Sequence, residues 1–333
     1  MQKIVLEMDG IRTHFPLYRG LIVRRQRGQV RAVDGVSLSL AKGEVLGLVG
    51  ESGCGKSTLA RTIIHLAPPT AGKLFLHGAD VTNPSPENLA AVRSNVQMIF
   101  QDPYASLDPR MTVFDIIAEA VLIKNRLSRK KLTGKVVALM EQVGLAPEFI
   151  LKYPHEFSGG QRQRIAIART LAMNPEIIIA DEPVSALDVS IQAQIINLMA
   201  HLCRQRGLAM LFISHDLSVV KHVSMRIAVM YLGKIMETGP SEDIFAGPRH
   251  PYTKALLSAM PVADPEKERS RKRIILPGDP PSPINPPPGC PFHPRCPFAQ
   301  KKCASTIPPL EPCADKPEQS AACVRKYDDE LTG

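Results

Sequence analysis

No stretch of this sequence approaches the ~18–20 consecutive apolar residues that a membrane-spanning helix needs. Its first residues reach a carboxylate at Glu7, too early for the apolar region of a secretory signal peptide. The composition, 44% hydrophobic and 22% charged, is ordinary for a globular protein and excludes disorder throughout. These absences exclude an integral membrane protein and predict a soluble, cytosolic one.

Acidic residues are in deficit, with 32 Asp+Glu against 41 Lys+Arg and a formal net charge of +9. Such an excess favours nucleic acid, an anionic membrane surface or a phosphate ligand, and by itself it cannot choose between them. The length of 333 residues predicts two domains, or one large domain with an appendage.

The first ~258 residues alternate buried β-branched runs with segments of helical periodicity, which is typical of an α/β protein with a parallel core sheet. Strands are predicted at 45–49, 177–180 and 210–213, each ending at a polar turn where sites are expected. Helices are predicted at 113–121, at 135–143 and from Ser158 onward, so residues 102–165 are expected to form an inserted helical subdomain. Proline, glycine and cysteine crowd the end of the chain, which predicts a small C-terminal domain over 259–333.

One glycine-rich segment lies between a predicted buried strand and a predicted helix. Its residues are Gly50-Glu51-Ser52-Gly53-Cys54-Gly55-Lys56-Ser57-Thr58. This is the Gly-x4-Gly-Lys-Ser/Thr pattern, in which glycines let backbone N–H groups converge on phosphate oxygens and the helix N-terminus adds partial positive charge. Lys56 is expected at the β- and γ-phosphates and the Ser57 hydroxyl at Mg²⁺. A glycine-rich turn that binds nothing is the alternative.

A second pattern follows the apolar strand at 177–180, which ends in Asp181 and Glu182. Asp181 is expected to hold Mg²⁺, directly or through water, and Glu182 to orient and deprotonate the attacking water. A strand that ends in two acids is weak evidence alone, but beside the phosphate pattern it predicts a nucleoside triphosphatase. Ser158-Gly159-Gly160-Gln161 opens a further helix and could cap that helix or bind an anion.

Taken together, these residues resemble the nucleotide-binding subunit of an ATP-binding-cassette (ABC) transporter, over about residues 4–258. Phe157-Ser158-Gly159-Gly160-Gln161 is similar to the signature sequence of that family, and Gln101 to its glutamine-loop residue. Ser185-Ala186-Leu187-Asp188 resembles the loop after the catalytic carboxylate (the D-loop), and His215 the switch histidine. The resemblance implies a P-loop cassette with a parallel core sheet, an antiparallel β subdomain and a helical subdomain.

The resemblance also implies the ligands and their contacts. Two such subunits would close head to tail over two ATP molecules, and the signature residues Ser158, Gly159, Gly160 and Gln161 would contact the ATP held by the partner. It implies catalytic roles for Lys56, Gln101, Glu182 and His215, and Mg²⁺ contacts from Ser57, Gln101 and Asp181. The implied ATP-binding residues are Phe15 (stacked on adenine), Gly50, Ser52, Gly53, Cys54, Gly55, Lys56, Ser57, Thr58, Gln101, Asp181, Glu182 and His215.

Two further segments narrow the resemblance to ATPase subunits of bacterial oligopeptide/dipeptide importers, with more likeness to the second, often called the F subunit. They are residues 249–256 and 281–290. This implies a second homologous ATPase subunit, two permease subunits and an extracytoplasmic peptide-binding protein as partners, with the chain peripheral on the cytoplasmic face of the membrane. Nickel complexes, glutathione and antimicrobial peptides are alternative cargoes. No nucleic acid is expected, although a soluble nucleic-acid- or ribosome-associated ABC ATPase is the alternative class.

Five cysteines lie in the last 44 residues: Cys290, Cys296, Cys303, Cys313 and Cys323. In a cytosolic protein such a cluster favours metal binding over disulfides, although no Cys-x2-Cys pair supports structural zinc. The resemblance implies a [4Fe-4S] cluster on Cys290, Cys296, Cys303 and Cys323, with Cys313 spare; zinc or no metal are the alternatives. A redox sensor in which this cluster gates the ATPase is compatible with transport.

The positive charge is local. Residues 12–31 hold six arginines and no acid, and residues 124–135 hold six Lys/Arg and no acid, which together exceed the net charge of the chain. Solvated loops are the simplest interpretation, and contact with the anionic leaflet or acidic permease loops is the alternative. An apolar loop between Gln101 and Met111, with Tyr104 and Leu107, is expected to be exposed and to receive a permease helix.

Overall fold

Helices and strands alternate along most of the chain in the computed structural model, which describes residues 3–19, 25–102, 106–124, 126–261 and 273–325. Contacts divide these residues into two units. The first unit comprises residues 3–5, 40–44 and 83–213, and the second residues 6–39, 45–82 and 214–325 within the described ranges. The predicted domain borders at 258/259 and at 102–165 stay predictions.

The second unit holds the glycine-rich segment. Its strands are β1 (Ile4–Arg19), β2 (Arg25–Ala41), β3 (Val45–Val49), β4 (Ala71–Leu76), β5 (Ala79–Asp80), β9 (Arg226–Tyr231), β10 (Lys234–Pro240), β11 (Glu311–Pro312) and β12 (Ser320–Ala321). Its helices are α1 (Lys56–Ile63), α7 (Leu217–Val223), α8 (Ser241–Ala246) and α9 (Pro251–Ser258). One sheet has the order β2-β1-β4-β5, with β1 antiparallel to β4.

The other strands of this unit run in the order β11-β12-β10-β9-β3. β3 is parallel to β9, and the remaining pairs are antiparallel, so the sheet is mixed. All five residues of β3 are buried, as expected for a strand covered on both faces. The C-terminal strand β12 extends this sheet through Glu237 and Thr238 of β10.

The first unit holds the second acidic pattern. Its strands are β6 (Val96–Ile99), β7 (Ile177–Asp181) and β8 (Ala209–Ile213), and its helices are α2 (Pro86–Asn95), α3 (Val113–Lys124), α4 (Arg129–Gln142), α5 (Gly159–Ala172) and α6 (Val189–Arg206). The strands are parallel in the order β8-β7-β6, with Ile99 opposite Ala180 and Asp181 opposite Ile213. The residues that follow β6 and β7 therefore leave the same edge of the sheet.

The three predicted strands and the helices at 113 and 158 are confirmed. The second predicted helix is wrong at its start, because α4 begins at Arg129 rather than Lys135. Arg129, Lys130 and Lys131 are good helix formers, and Ser128 adopts the extended conformation of an N-cap residue. The like charge of Arg129–Lys131 therefore does not exclude these residues from the helix.

Most residues of the two basic stretches lie on strands or helices rather than in loops, and residues 126–128 lie in a loop. Residues 12–19 and 25–31 lie on strands β1 and β2, and residues 129–135 lie on helix α4; residues 20–24 and 125 lie outside the described residues. The apolar loop prediction is wrong at Leu107, which is buried. The Arg169 guanidinium donates to the neighbouring Ser106 carbonyl at 2.6 Å, and Tyr104 lies outside the described residues.

Candidate functional site

The glycine-rich segment 50–58 connects β3 to α1 and adopts a conformation that only glycine tolerates. Gly50 and Gly55 have φ of +155° and +111°. A Cβ on Gly50 would lie 2.1 Å from the Met230 carbonyl oxygen, and one on Gly55 2.0 Å from the Ala32 carbonyl oxygen. Helix α1 begins after Gly55 with no side-chain cap, and the partial positive charge of such a helix N-terminus favours an anion.

Lys56 is 4% exposed and turns back over the segment. Its Nζ donates to the carbonyl oxygens of Gly50 at 2.8 Å and Glu51 at 3.1 Å. Cys54 belongs to the same segment and is buried, and this burial raises the pKa of its thiol. A phosphate anion would offer the ammonium a stronger, charge-assisted partner than these neutral carbonyls. Ser52 and Gly53 are exposed, and Ser57 and Thr58 are half-buried.

Two other predicted residues belong to this unit. Phe15 on β1 is 41% exposed, which leaves its ring accessible for stacking on a planar ligand. The neighbouring His14 forms a hydrogen bond between its Nε2 and Asp34 Oδ1 at 3.1 Å. Lys234 Nζ forms an ion pair with Oδ2 of the same carboxylate at 3.1 Å. Burial would raise the pKa of Asp34, but Lys234 and His14 outweigh it and hold the pKa below its ordinary value. His215 is exposed immediately before α7.

In the first unit, the chain brings Gln101 and Glu182 together. Gln101 follows β6 and donates through Nε2 to Glu182 Oε2 at 3.1 Å. Glu182 has a φ of +47°, a backbone conformation that is costly for a residue with a side chain. Its N–H donates to the Ile213 carbonyl at 3.0 Å, which holds this conformation in place. Asp181, at the end of β7, is only 3% exposed.

The Ser158–Gln161 segment forms the N-terminus of α5 and caps it. The Gln161 N–H donates to Ser158 Oγ at 3.4 Å, and the Ser158 N–H donates to Gln161 Oε1 at 3.0 Å, which makes a capping box. A Cβ on Gly159 would lie 3.1 Å from Leu187, and one on Gly160 2.4 Å from Ile191. The start of α5 therefore lies against the segment that contains Ser185 and Asp188, and both of these residues are exposed.

All seven cysteines are free thiols, and four of the five C-terminal ones lie near one another. Burial raises the pKa of Cys290 and Cys296 to about 11, and neighbouring thiols add to it: Cys303 and Cys323 for Cys290, and Cys290, Cys303 and Cys323 for Cys296. Burial is the main cause of the raised pKa of Cys323, and the neighbouring Cys303 thiol raises it further.

These thiols do not form a site for a single ion. Within the described ranges, no group of three or more His, Cys, Asp or Glu side chains is placed to hold a metal ion. The structure therefore lends no direct support to the zinc alternative or to the [4Fe-4S] cluster. Four Cys thiolates are the usual ligands of a [4Fe-4S] cluster, and Cys290, Cys296, Cys303 and Cys323 would supply them.

One group of contacts was missed by the sequence analysis. The Glu51 N–H donates to the Tyr252 hydroxyl at 2.8 Å, and Arg295 pairs with the Glu51 carboxylate at 2.8 Å. Tyr252 belongs to the segment 249–256 that the resemblance singled out without a role. Because Glu51 and Arg295 are 244 residues apart, no local pattern could have paired them.

Comparison with known proteins identifies the family. The family model for the ABC transporter matches residues 33–185, and the model for the oligopeptide/dipeptide transporter C-terminal region matches residues 236–303. The chain is 54% identical to the oligopeptide transport ATP-binding protein AppF of Bacillus subtilis, over 97% of each chain. This chain belongs to the ABC transporter family.

Other relatives agree with this assignment. The chain is 53% identical to the oligopeptide transport ATP-binding protein OppF of Salmonella typhimurium over 93% of each, and 50% identical to the dipeptide transport ATP-binding protein DppF of Haemophilus influenzae, over 93% of this chain and 94% of that protein. A solved dimer of the ATP-binding cassette MJ0796 bound to ADP and Pi matches 71% of this chain and 98% of its own, with a TM-score of 0.63 and 25% identity. The predicted P-loop cassette is confirmed, and the protein is an ABC ATPase.

Proposed function

We propose that this ATPase binds and hydrolyses ATP to power the import of di- and oligopeptides through a membrane ABC transporter. The observation that carries the proposal is the uncapped N-terminus of α1 behind the constrained loop 50–58, in a chain 54% identical to an oligopeptide transport ATP-binding protein. That N-terminus suits the phosphates of a nucleotide.

The roles of individual residues follow from their chemistry. The backbone N–H groups of 50–58 and Lys56 bind the β- and γ-phosphates, and the exposed ring of Phe15 stacks on the base. The oxygen donors of Ser57, Gln101 and Asp181 are of the kind that Mg²⁺ prefers, and bound Mg²⁺ would neutralise charge on the phosphates. Glu182 accepts the proton of the attacking water, with its carboxylate held by Gln101 at 3.1 Å, and His215 contacts the γ-phosphate.

The proposed assembly supplies the other half of each site. Ser158, Gly159, Gly160 and Gln161 contact ATP held by a second, homologous ATPase subunit, and Ser185 and Asp188 lie at the same interface. Two permeases and an extracytoplasmic peptide-binding protein complete the importer, and this chain lies on the cytoplasmic face of the membrane. None of the helices in the described residues is long and apolar enough to span a bilayer.

We further propose that Cys290, Cys296, Cys303 and Cys323 hold a [4Fe-4S] cluster. The four thiols influence one another's pKa, as neighbouring groups do, and this supports the ligand set. Such a cluster would cross-link a proline-rich segment that has little regular secondary structure.

The transport function is tested by deleting the gene and measuring uptake of labelled tripeptides, with wild-type and Glu182→Gln chains as complements. Wild type should restore uptake and Glu182→Gln should not, although it still binds ATP. Restored uptake of a nickel complex or glutathione instead would replace the peptide cargo. Purification with RNA and without permeases would overturn the transport function.

The cluster is tested by anaerobic purification with iron, acid-labile sulfide and visible absorbance as readouts. Cys290→Ser should lose iron and sulfide, whereas the matched control Cys313→Ser should keep both. Equal iron in the two variants, or none in wild type, would remove the cluster.

A further inference from the structure

All three polar groups of Glu51, the second residue of the loop 50–58, have partners. Its N–H donates to the Tyr252 hydroxyl at 2.8 Å, its carbonyl accepts from Lys56 Nζ at 3.1 Å, and its carboxylate accepts from Arg295 Nη1 at 2.8 Å. Two of these partners come from the C-terminal part of the second unit, more than 200 residues along the chain.

Those two partners are held by a packed aromatic group. The rings of Tyr231, Tyr252 and Phe292 lie within 4.7–5.4 Å of one another, and His250 lies 5.6 Å from Phe292. Tyr252 and Phe292 are fully buried, so neither has rotameric freedom to release what it holds.

Arg295 is fixed as firmly as Tyr252. Its side chain is 9% exposed, and Nε also donates to the Pro277 carbonyl at 3.3 Å. It belongs to the short 3₁₀ turn His293–Arg295, which directly follows Phe292. The guanidinium therefore reaches Glu51 from a backbone that the aromatic group anchors.

We propose that Tyr252 and Arg295 are positioning residues that hold Glu51, and with it the phosphate loop, in the conformation that binds ATP. They touch no reacting atom and act through the loop. When the competent conformation is only a fraction of the population, the apparent Kd rises by the inverse of that fraction. Loss of either contact therefore weakens ATP binding more than it slows the chemical step. The inference rests on the proposed role of residues 50–58 in phosphate binding.

The test compares Arg295→Met, Glu51→Gln and Tyr252→Phe in the full-length chain. Kd for Mg-ATP is measured with a fluorescent ATP analogue, and KM and kcat are measured separately. We expect Kd and KM to rise roughly tenfold with kcat at saturating ATP within about twofold. Because Glu51 is part of the loop and not of the aromatic group, Glu51→Gln tests the ion pair even where Arg295→Met fails to fold.

Two comparisons separate positioning from general destabilisation. The double variant Glu51→Arg/Arg295→Glu restores an ion pair with reversed charges and should recover part of the lost affinity. Lys316→Gln breaks an ion pair with Asp243 in the same C-terminal part, away from the loop, and should leave Kd unchanged. The inference is overturned if Kd is unchanged in both Glu51→Gln and Tyr252→Phe. It is also overturned if the double variant binds Mg-ATP no better than the weaker-binding of the single variants Glu51→Arg and Arg295→Glu.

Failure of this inference is distinguishable from failure of the proposed function. A wild-type chain that binds no ATP analogue, or a Lys56→Ala chain that binds it as well as wild type, removes the phosphate role of residues 50–58. A wild-type chain that binds, with Arg295→Met and Glu51→Gln variants that bind equally well, removes only the positioning role.

Discussion

Two helices of this protein begin at glycine-rich segments and differ in how their N-termini are capped. Helix α1 begins after Gly55 in a left-handed conformation, with no side-chain cap. Helix α5 begins after Ser158 in an extended conformation, with a capping box formed by Ser158 and Gln161. The capping box satisfies two backbone N–H groups at the start of α5, whereas α1 has no such cap.

The difference extends to what surrounds the glycines. At Gly55 a Cβ would meet the backbone oxygen of Ala32, which cannot move away without shifting a strand. At Gly159 it would meet the end of the Leu187 side chain at 3.1 Å, and at Gly160 the Cγ2 methyl of Ile191 at 2.4 Å. The loop before α1 is thus constrained by backbone, whereas the start of α5 is constrained by side chains.

The largest expected effect is that of Gly55→Ala. The added Cβ would lie 2.0 Å from the Ala32 oxygen at a φ of +111°, so the loop must change shape and ATP binding should fall by at least about 100-fold. Fluorescent ATP-analogue binding measures it. The matched control is Gly134→Ala, at an open position within α4, which should bind normally and unfold at slightly higher denaturant. Normal ATP binding by Gly55→Ala would contradict the role of the loop backbone.

Glu182→Gln should separate binding from hydrolysis. Removal of the base should lower kcat by about 10²–10⁴-fold while ATP binding persists, because the phosphate loop is untouched. Single-turnover hydrolysis and ATP-analogue binding are measured on the same preparation. Turnover within tenfold of wild type would remove Glu182 as the base.

Ser158 tests whether the cap on α5 is its whole function. Ser158→Asn and Ser158→Asp both keep a good N-cap, but the aspartate places negative charge where the γ-phosphate of the partner subunit is expected. We expect the ATPase activity of the assembled transporter to fall about 10-fold more in Ser158→Asp than in Ser158→Asn, since only the aspartate repels phosphate. Equal activities would leave Ser158 with a capping role alone.

A smaller effect is expected on stability when caps are removed. Ser158→Ala and Ser85→Ala each remove an N-cap and should each lower the free energy of unfolding by ~1 kcal/mol. Only Ser158→Ala should also lower the ATPase activity of the assembled transporter. Denaturant unfolding and ATPase assays together measure the two effects, and a Ser85→Ala variant with the same ATPase defect would trace that defect to stability.

A third helix start responds to pH. His250 caps α9 by accepting from the Tyr252 N–H at 3.1 Å, and burial lowers the pKa of its ring to about 3 from an ordinary value of 6.5. Between pH ~6.5 and 3 the unfolded chain binds a proton on His250 that the folded chain does not. The contribution of the neutral ring to the free energy of unfolding is therefore complete above pH ~6.5. It declines as the pH falls toward 3, by up to ~1.4 kcal/mol per pH unit.

Comparison of variants isolates that contribution. Burial raises the pKa of the neighbouring Glu237, which stabilises the fold toward acid and opposes the histidine effect. His250→Asn keeps a capping acceptor and the Glu237 effect, so its unfolding free energy should fall less between pH 6.5 and 5 than that of wild type. The exposed His201→Gln should follow wild type, and identical slopes in all three would contradict a neutral, buried His250.

Much of the site could be predicted because it depends on short patterns. The apolar runs that end at Val49, Ala180 and Ile213 form the buried strands predicted for them, and the glycines at 50 and 55 are required by a backbone path that the strand-to-helix turn imposes. The capping box at Ser158 follows from residues three apart. One prediction failed where tertiary packing decides, because Leu107 is buried although its loop was expected to be exposed. The other failed although local signals were present, because Arg129–Lys131 are good helix formers behind an N-cap residue.

The sequence by itself determined the family, the phosphate loop, the carboxylate pair and the four thiols, because each depends on residue type and short spacing. Only the tertiary structure decided that Gln101 contacts Glu182, that Cys290, Cys296, Cys303 and Cys323 lie near one another, and that Tyr252 and Arg295 hold Glu51. Such pairs are tens to hundreds of residues apart. Burial and backbone direction bring the residues of these pairs together, and no local sequence pattern specifies either one.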